Sequence, residues 1–108
     1  MVDGEVFEKL RRFVAERNWS QFHTEENLAK SISIEAAELL ECYQWGSADQ
    51  GRVEEELADV LTYCLLLAEK LGLDPSEIVS SKIDNLGFNI AIWNISLRFF
   101  SPPEKPSF

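Results

Sequence analysis

Histidine is nearly missing from this 108-residue chain, with one copy, and cysteine is scarce, with two. Zinc sites draw on these two residue types, and Cys42 and Cys64 fit no zinc-ligand spacing. Both cysteines sit in apolar helical segments and read as reduced core residues, not as a disulfide. Basic residues are outnumbered as well: 10 Lys and Arg face 19 Asp and Glu, a formal net charge of −9. Without a basic patch to displace counterions, nucleic acid is excluded as the main partner. A polyphosphate ligand would also be repelled, unless divalent cations stand between it and the protein. No internal repeat or low-complexity segment occurs. The longest apolar stretch, near residues 86–100, is too short to span a bilayer and is broken by Asn89, Asn94, Ser96 and Arg98. The opening "MVDGEVFEKLRRF" lacks the apolar region of a secretion signal. A cytoplasmic protein with no membrane role is expected.

What is present is a globular composition, 45% hydrophobic, in a length that suits one modest core. Val6, Leu10, Phe13 and Val14 recur at helical spacing within residues 3–17, predicting a first amphipathic helix. "NWSQFHT" breaks that pattern, and Thr24 is placed as the N-cap of a second helix over residues 25–45, with Glu25 and Glu26 in its first turn. After the polar link "GSADQG", a third helix is predicted from about residue 50 to 71, stopped by Gly72. "DPSE" then starts a fourth helix with Pro75 at its first position. No convincing strand pattern precedes residue 86. The expected fold is all-α.

The acidic residues of the second and third helices follow a pattern. At about 100° per residue, Leu28, Ile32, Ala36, Leu39, Leu40 and Tyr43 share one face, with Glu35 on its flank and Glu38 just beyond. Glu41 falls opposite the core and reads as solvated surface. In the third helix Val53, Leu57, Val60, Leu61, Cys64, Ala68 and Leu71 form the stripe, flanked by Glu56 and then Asp59. A short link makes the two helices antiparallel neighbours. Their same-handed flanks then fall on one side, Glu35 level with Asp59 and Glu38 with Glu56. A lone E-x-x-E is most simply a solvated face; a second pair, level and on the same side, favours a metal site. Four converging carboxylates repel and raise one another's pKa, and a hard cation with oxygen ligands relieves that repulsion. A di-iron bundle wants Glu-x-x-His motifs, and His23 lies outside both pairs. Magnesium or manganese remains.

The motif E-x-x-E, spacer, E-x-x-D, here "EAAE" and "ELAD", resembles the signature of the MazG-like all-α nucleoside triphosphate pyrophosphohydrolases, in particular the small dCTP pyrophosphatase branch. "RNWSQFHTEENLAKSISIEAAELLECYQW" and "VEEELADVLTYCLLLAEKLGLD" resemble that branch as well, and the likeness covers residues 5–84. It implies a four-helix MazG-like bundle built around an antiparallel hairpin, assembled as a homodimer or homotetramer. It implies hydrolysis of a (deoxy)nucleoside triphosphate to the monophosphate and pyrophosphate, with Mg²⁺ or Mn²⁺ held by Glu35, Glu38, Glu56 and Asp59. Glu38 is the expected proton acceptor. Trp19, His23, Trp45 and Tyr63 match the branch's base and sugar pocket, and projection puts Asn27, Trp45 and Tyr63 on the acidic flank. Lys82 matches a phosphate-contacting lysine, but the family's following Asn is replaced by Leu86 and its basic and Tyr-Pro residues are absent. The chain is therefore divided into a domain over residues 1–86 and a divergent apolar tail over 87–108, expected to pack over the core or across an interface. The reading from another class is a non-catalytic acidic helical interaction module.

Overall fold

A computed structural model describes residues 4–85 of the chain. Four α-helices form there, α1 (Gly4–Glu16), α2 (Glu25–Glu41), α3 (Gln50–Leu71) and α4 (Pro75–Ile83), with a 3-10 turn at Ser20–Phe22. No strand occurs among the described residues. No helix there is long and apolar enough to cross a membrane. The chain divides into two compact units, the first running through Pro75 and the second starting at Ser76. The tail over 87–108 lies outside the described residues.

Helix ends follow from local chemistry. The Thr24 hydroxyl accepts from the Asn27 N–H at 3.1 Å, and Asp49 Oδ1 accepts from Gly51 and Arg52 N–H at 2.8 and 3.3 Å. Each cap satisfies amide donors that a helix start leaves without partners. Gly72 closes α3 at φ 69°. Its N–H donates to the Glu69 carbonyl and that of Leu73 to the Ala68 carbonyl, a Schellman arrangement. Asn18, at φ 52°, closes α1 in the same way, with Asn18 N–H on Ala15 O and Trp19 N–H on Val14 O. Asparagine tolerates this left-handed conformation better than most side chains.

The second helix is shorter than its hydrophobic spacing predicts. Regular α2 stops at Glu41, because Cys42, Tyr43 and Gln44 bond three residues back, to Leu39, Leu40 and Glu41. This tighter winding ends at Gly46, whose φ of 105° suits glycine. Residues 42–45 therefore lie in turns, and their side chains leave the α2 stripe.

Helices α2 and α3 pack as an antiparallel pair. Leu28 shares a cleft with Leu66 at one end, while Glu38 meets Glu56 at the other. Helix α1 lies against α3, tied by Arg11 Nε donating to Glu69 Oε1 at 2.6 Å. Leu28 is buried to 1% exposure, and Ala68 and Cys42 are buried as well. The stripes of α2 and α3 are otherwise not all inside, as their spacing suggests: Leu40, Tyr43, Leu57 and Leu61 are exposed, Leu61 at 53%. One helix covers one side of a two-helix hairpin, and nothing among the described residues of this unit covers the other.

Candidate metal and substrate site

The i, i+3 spacing puts Glu35 and Glu38 on one side of α2, and Glu56 and Asp59 on one side of α3. Packing of the hairpin brings one oxygen each of Glu35, Glu38 and Glu56 within 4.8 Å of one another. Asp59 stands outside this tight group, but its charge acts on both Glu35 and Glu56. Glu41 goes elsewhere, facing Arg52 at 3.8 Å.

The group is under electrostatic tension. Burial, then hydrogen bonding to Glu38 and the charges of Glu38, Asp59 and Glu56, push the Glu35 carboxyl from 4.5 up to about 7. Burial first and Glu38 next raise Glu56 too, and Arg52 opposes that only in part. Among the described residues no Lys, Arg or His forms an ion pair with any of the four acids. Glu35 Oε2 and Glu56 Oε2 are buried with no hydrogen-bond partner. Unpartnered buried carboxylate oxygens are costly and rare. A hard cation taking oxygen ligands would satisfy both and discharge the repulsion, so the residues fit a divalent ion.

A cleft of about 490 Å³ opens between α1, the Trp19–His23 segment and α3, with Asp59 on its border. Trp19, His23 and Tyr63 line it. The Schellman turn at Asn18 swings Trp19 back, so that its ring meets Phe13 edge-on at 5.4 Å and His23 at 6.4 Å. The Arg17 guanidinium lies 3.6 Å over the Phe13 ring, a stacked cation that holds this wall. Asn27 is committed locally, its Nδ2 donating to the Phe22 carbonyl at 3.1 Å. Trp45, in the turns after α2, is 88% exposed and does not line the cleft. Lys82 lies on α4, in the second unit. The wall supplied by α1, including Lys9 and Leu10, is not foreseen by the sequence reading. The stripe of α1 was legible, but not what it faces.

The profile of the MazG-like family matches residues 30–92, more than half of the chain. Mouse (Mus musculus) dCTP pyrophosphatase 1 is 37% identical over 94 residues, covering 73% of this chain and 55% of that protein. The human (Homo sapiens) protein of the same name is 36% identical over the same span. The chain thus spans about half the length of the curated relatives it matches. A crystal structure of a pyrophosphatase from Archaeoglobus fulgidus is similar with a TM-score of 0.69 and 43% identity, over 74% of this chain and 83% of that one.

Proposed function

The chain belongs to the MazG-like family, and from that premise we propose that it hydrolyses (deoxy)nucleoside triphosphates to the monophosphate and pyrophosphate. The observation that carries this reading is the carboxylate group of Glu35, Glu38 and Glu56, with two orphaned buried oxygens, beside a cleft that Asp59 shares with aromatic side chains. Similarity to dCTP pyrophosphatase 1 makes dCTP or a modified form of it the first substrate to try. Control of a nucleotide pool, in the cytoplasm, is the setting that suits this chemistry.

Glu35, Glu38, Glu56 and Asp59 would hold Mg²⁺ or Mn²⁺. When bound, a divalent cation supplies charge neutralisation for the triphosphate and Lewis acidity toward water. The protein's own part is to bind, orient and move a proton. Glu38, with a carboxylate oxygen within 4.8 Å of oxygens of Glu35 and Glu56, is the carboxylate proposed to accept the proton from the attacking water. Trp19 and Tyr63 offer flat apolar surface to the base, and His23 a ring nitrogen within the same cleft. Asn27 and Trp45 complete the proposed substrate-binding set of the first unit. The exposed Leu40, Tyr43, Leu57 and Leu61 are assigned to contact with a second copy of the chain, because apolar area of this kind is seldom left in water. The domain is taken as residues 1–86, with 87–108 as its tail.

The test is pyrophosphate release from a panel of dNTPs and NTPs, with and without Mg²⁺ or Mn²⁺, for the wild type and for Glu38→Gln. Metal-dependent release lost in the variant supports the reading. No release from any nucleotide at high protein concentration would favour a non-catalytic interaction module.

A further inference from the structure

We propose that Lys9 is a contact for the substrate's phosphate chain, a cation that α1 turns into the cleft; this rests on the pyrophosphohydrolase reading above. Helix α1 contributes Val6, Lys9, Leu10, Phe13 and Val14 to the wall, the i, i+3, i+4, i+7, i+8 spacing of one helix face. Four of these are apolar and one is charged. The helix keeps Glu5, Glu8, Arg12 and Glu16 out of the lining, so a lysine on the inward stripe departs from its own pattern.

Nothing in the described structure uses that charge. The basic residues that form ion pairs there are Arg11, Arg17, Lys30 and Arg52, and Lys9 is not among them. Asp59 borders the same cleft and is not paired with Lys9 either. The cleft therefore has a free ammonium in a chain whose net charge is −9. His23 is the one other side chain in the lining able to carry positive charge. Lys9 is exposed to solvent at the cleft, and its flexible stem lets the charged head follow the ligand. Phosphate is the group such a point charge suits. A neutral base offers it far less.

The experiment measures KM and kcat for the four dNTPs, and Kd for an α,β-imido dNTP at low and high salt, in the wild type, Lys9→Ala and Lys9→Arg. For a solvent-accessible charge pair of up to about 1 kcal/mol, Lys9→Ala raises KM and Kd about fivefold for every base alike. In that variant kcat moves less than KM and the salt dependence of Kd becomes shallower, while Lys9→Arg restores the wild-type values. Circular dichroism is expected to show an intact helix, since alanine is the best helix former. Unchanged KM and Kd in Lys9→Ala, with an active wild type, overturn the role of Lys9 alone; so does a rise confined to one base. A wild type that releases no pyrophosphate from any dNTP overturns the underlying reading as well.

Discussion

Replacing Glu35 by Gln in the metal-free protein isolates the tension in the acidic group. The Glu35 carboxyl is raised from 4.5 to about 7, by burial first and then by Glu38, Asp59 and Glu56. Below its unfolded value it is protonated in both folded and unfolded chains, and its contribution to stability is fully present. As pH rises through about 7 the folded protein must ionise it against its neighbours, and that contribution is lost. Full linkage over this shift would amount to about 3 kcal/mol. Water reaching the half-buried group screens the charges, leaving about 1 kcal/mol. Urea denaturation in EDTA at pH 5 and pH 8 is the assay. The wild type is expected to lose about 1 kcal/mol more than Glu35→Gln between the two pH values, and saturating Mg²⁺ to remove most of that difference. Equal pH dependence in both proteins, or a wild type that gains stability from this group as pH rises, would refute the reasoning.

Glu38→Gln and Asp59→Asn are each expected to lower turnover by about a hundredfold or more while circular dichroism stays unchanged. A marked fall in metal-free thermal midpoint would instead show these acids to be structural partners of a cation in the fold. Leu28→Ala removes the most deeply buried side chain among the described residues, at 1% exposure, and should cost about 3 kcal/mol in denaturant melts; a cost below about 1 kcal/mol would mean that the α1 cover collapses onto the gap. Trp45→Ala should raise the dNTP dissociation constant and leave Mg²⁺ affinity as it is, read by calorimetry. Unchanged nucleotide affinity would remove Trp45 from the substrate set.

Much of this was legible along the chain, for reasons that stay local. Thr24 caps α2 and Gly72 ends α3 because an N-terminal amide needs an acceptor and a left-handed position favours glycine over most residues with a Cβ. The level pairing of Glu38 with Glu56 follows from helical period and a short antiparallel link, and the hairpin brings the two together. Where projection fell short, hydrogen bonding changed the geometry. The i→i−3 bonds of residues 42–44 end the 3.6-residue period just before Trp45, so its projected angle did not apply.

Residue identities and spacing were enough to determine the helices, the caps and the two acidic pairs, since each depends on neighbours within about two turns. Only the tertiary structure decided which carboxylate oxygens are left without partners and that Glu41 turns to Arg52. It also decided that the α1 stripe walls the cleft and that Leu40, Leu57 and Leu61 stay exposed. A helical wheel carries the angle of a side chain about its own axis. It holds no information on the distance to the next helix, or on which faces another element covers, and burial, charge repulsion and cleft shape depend on those.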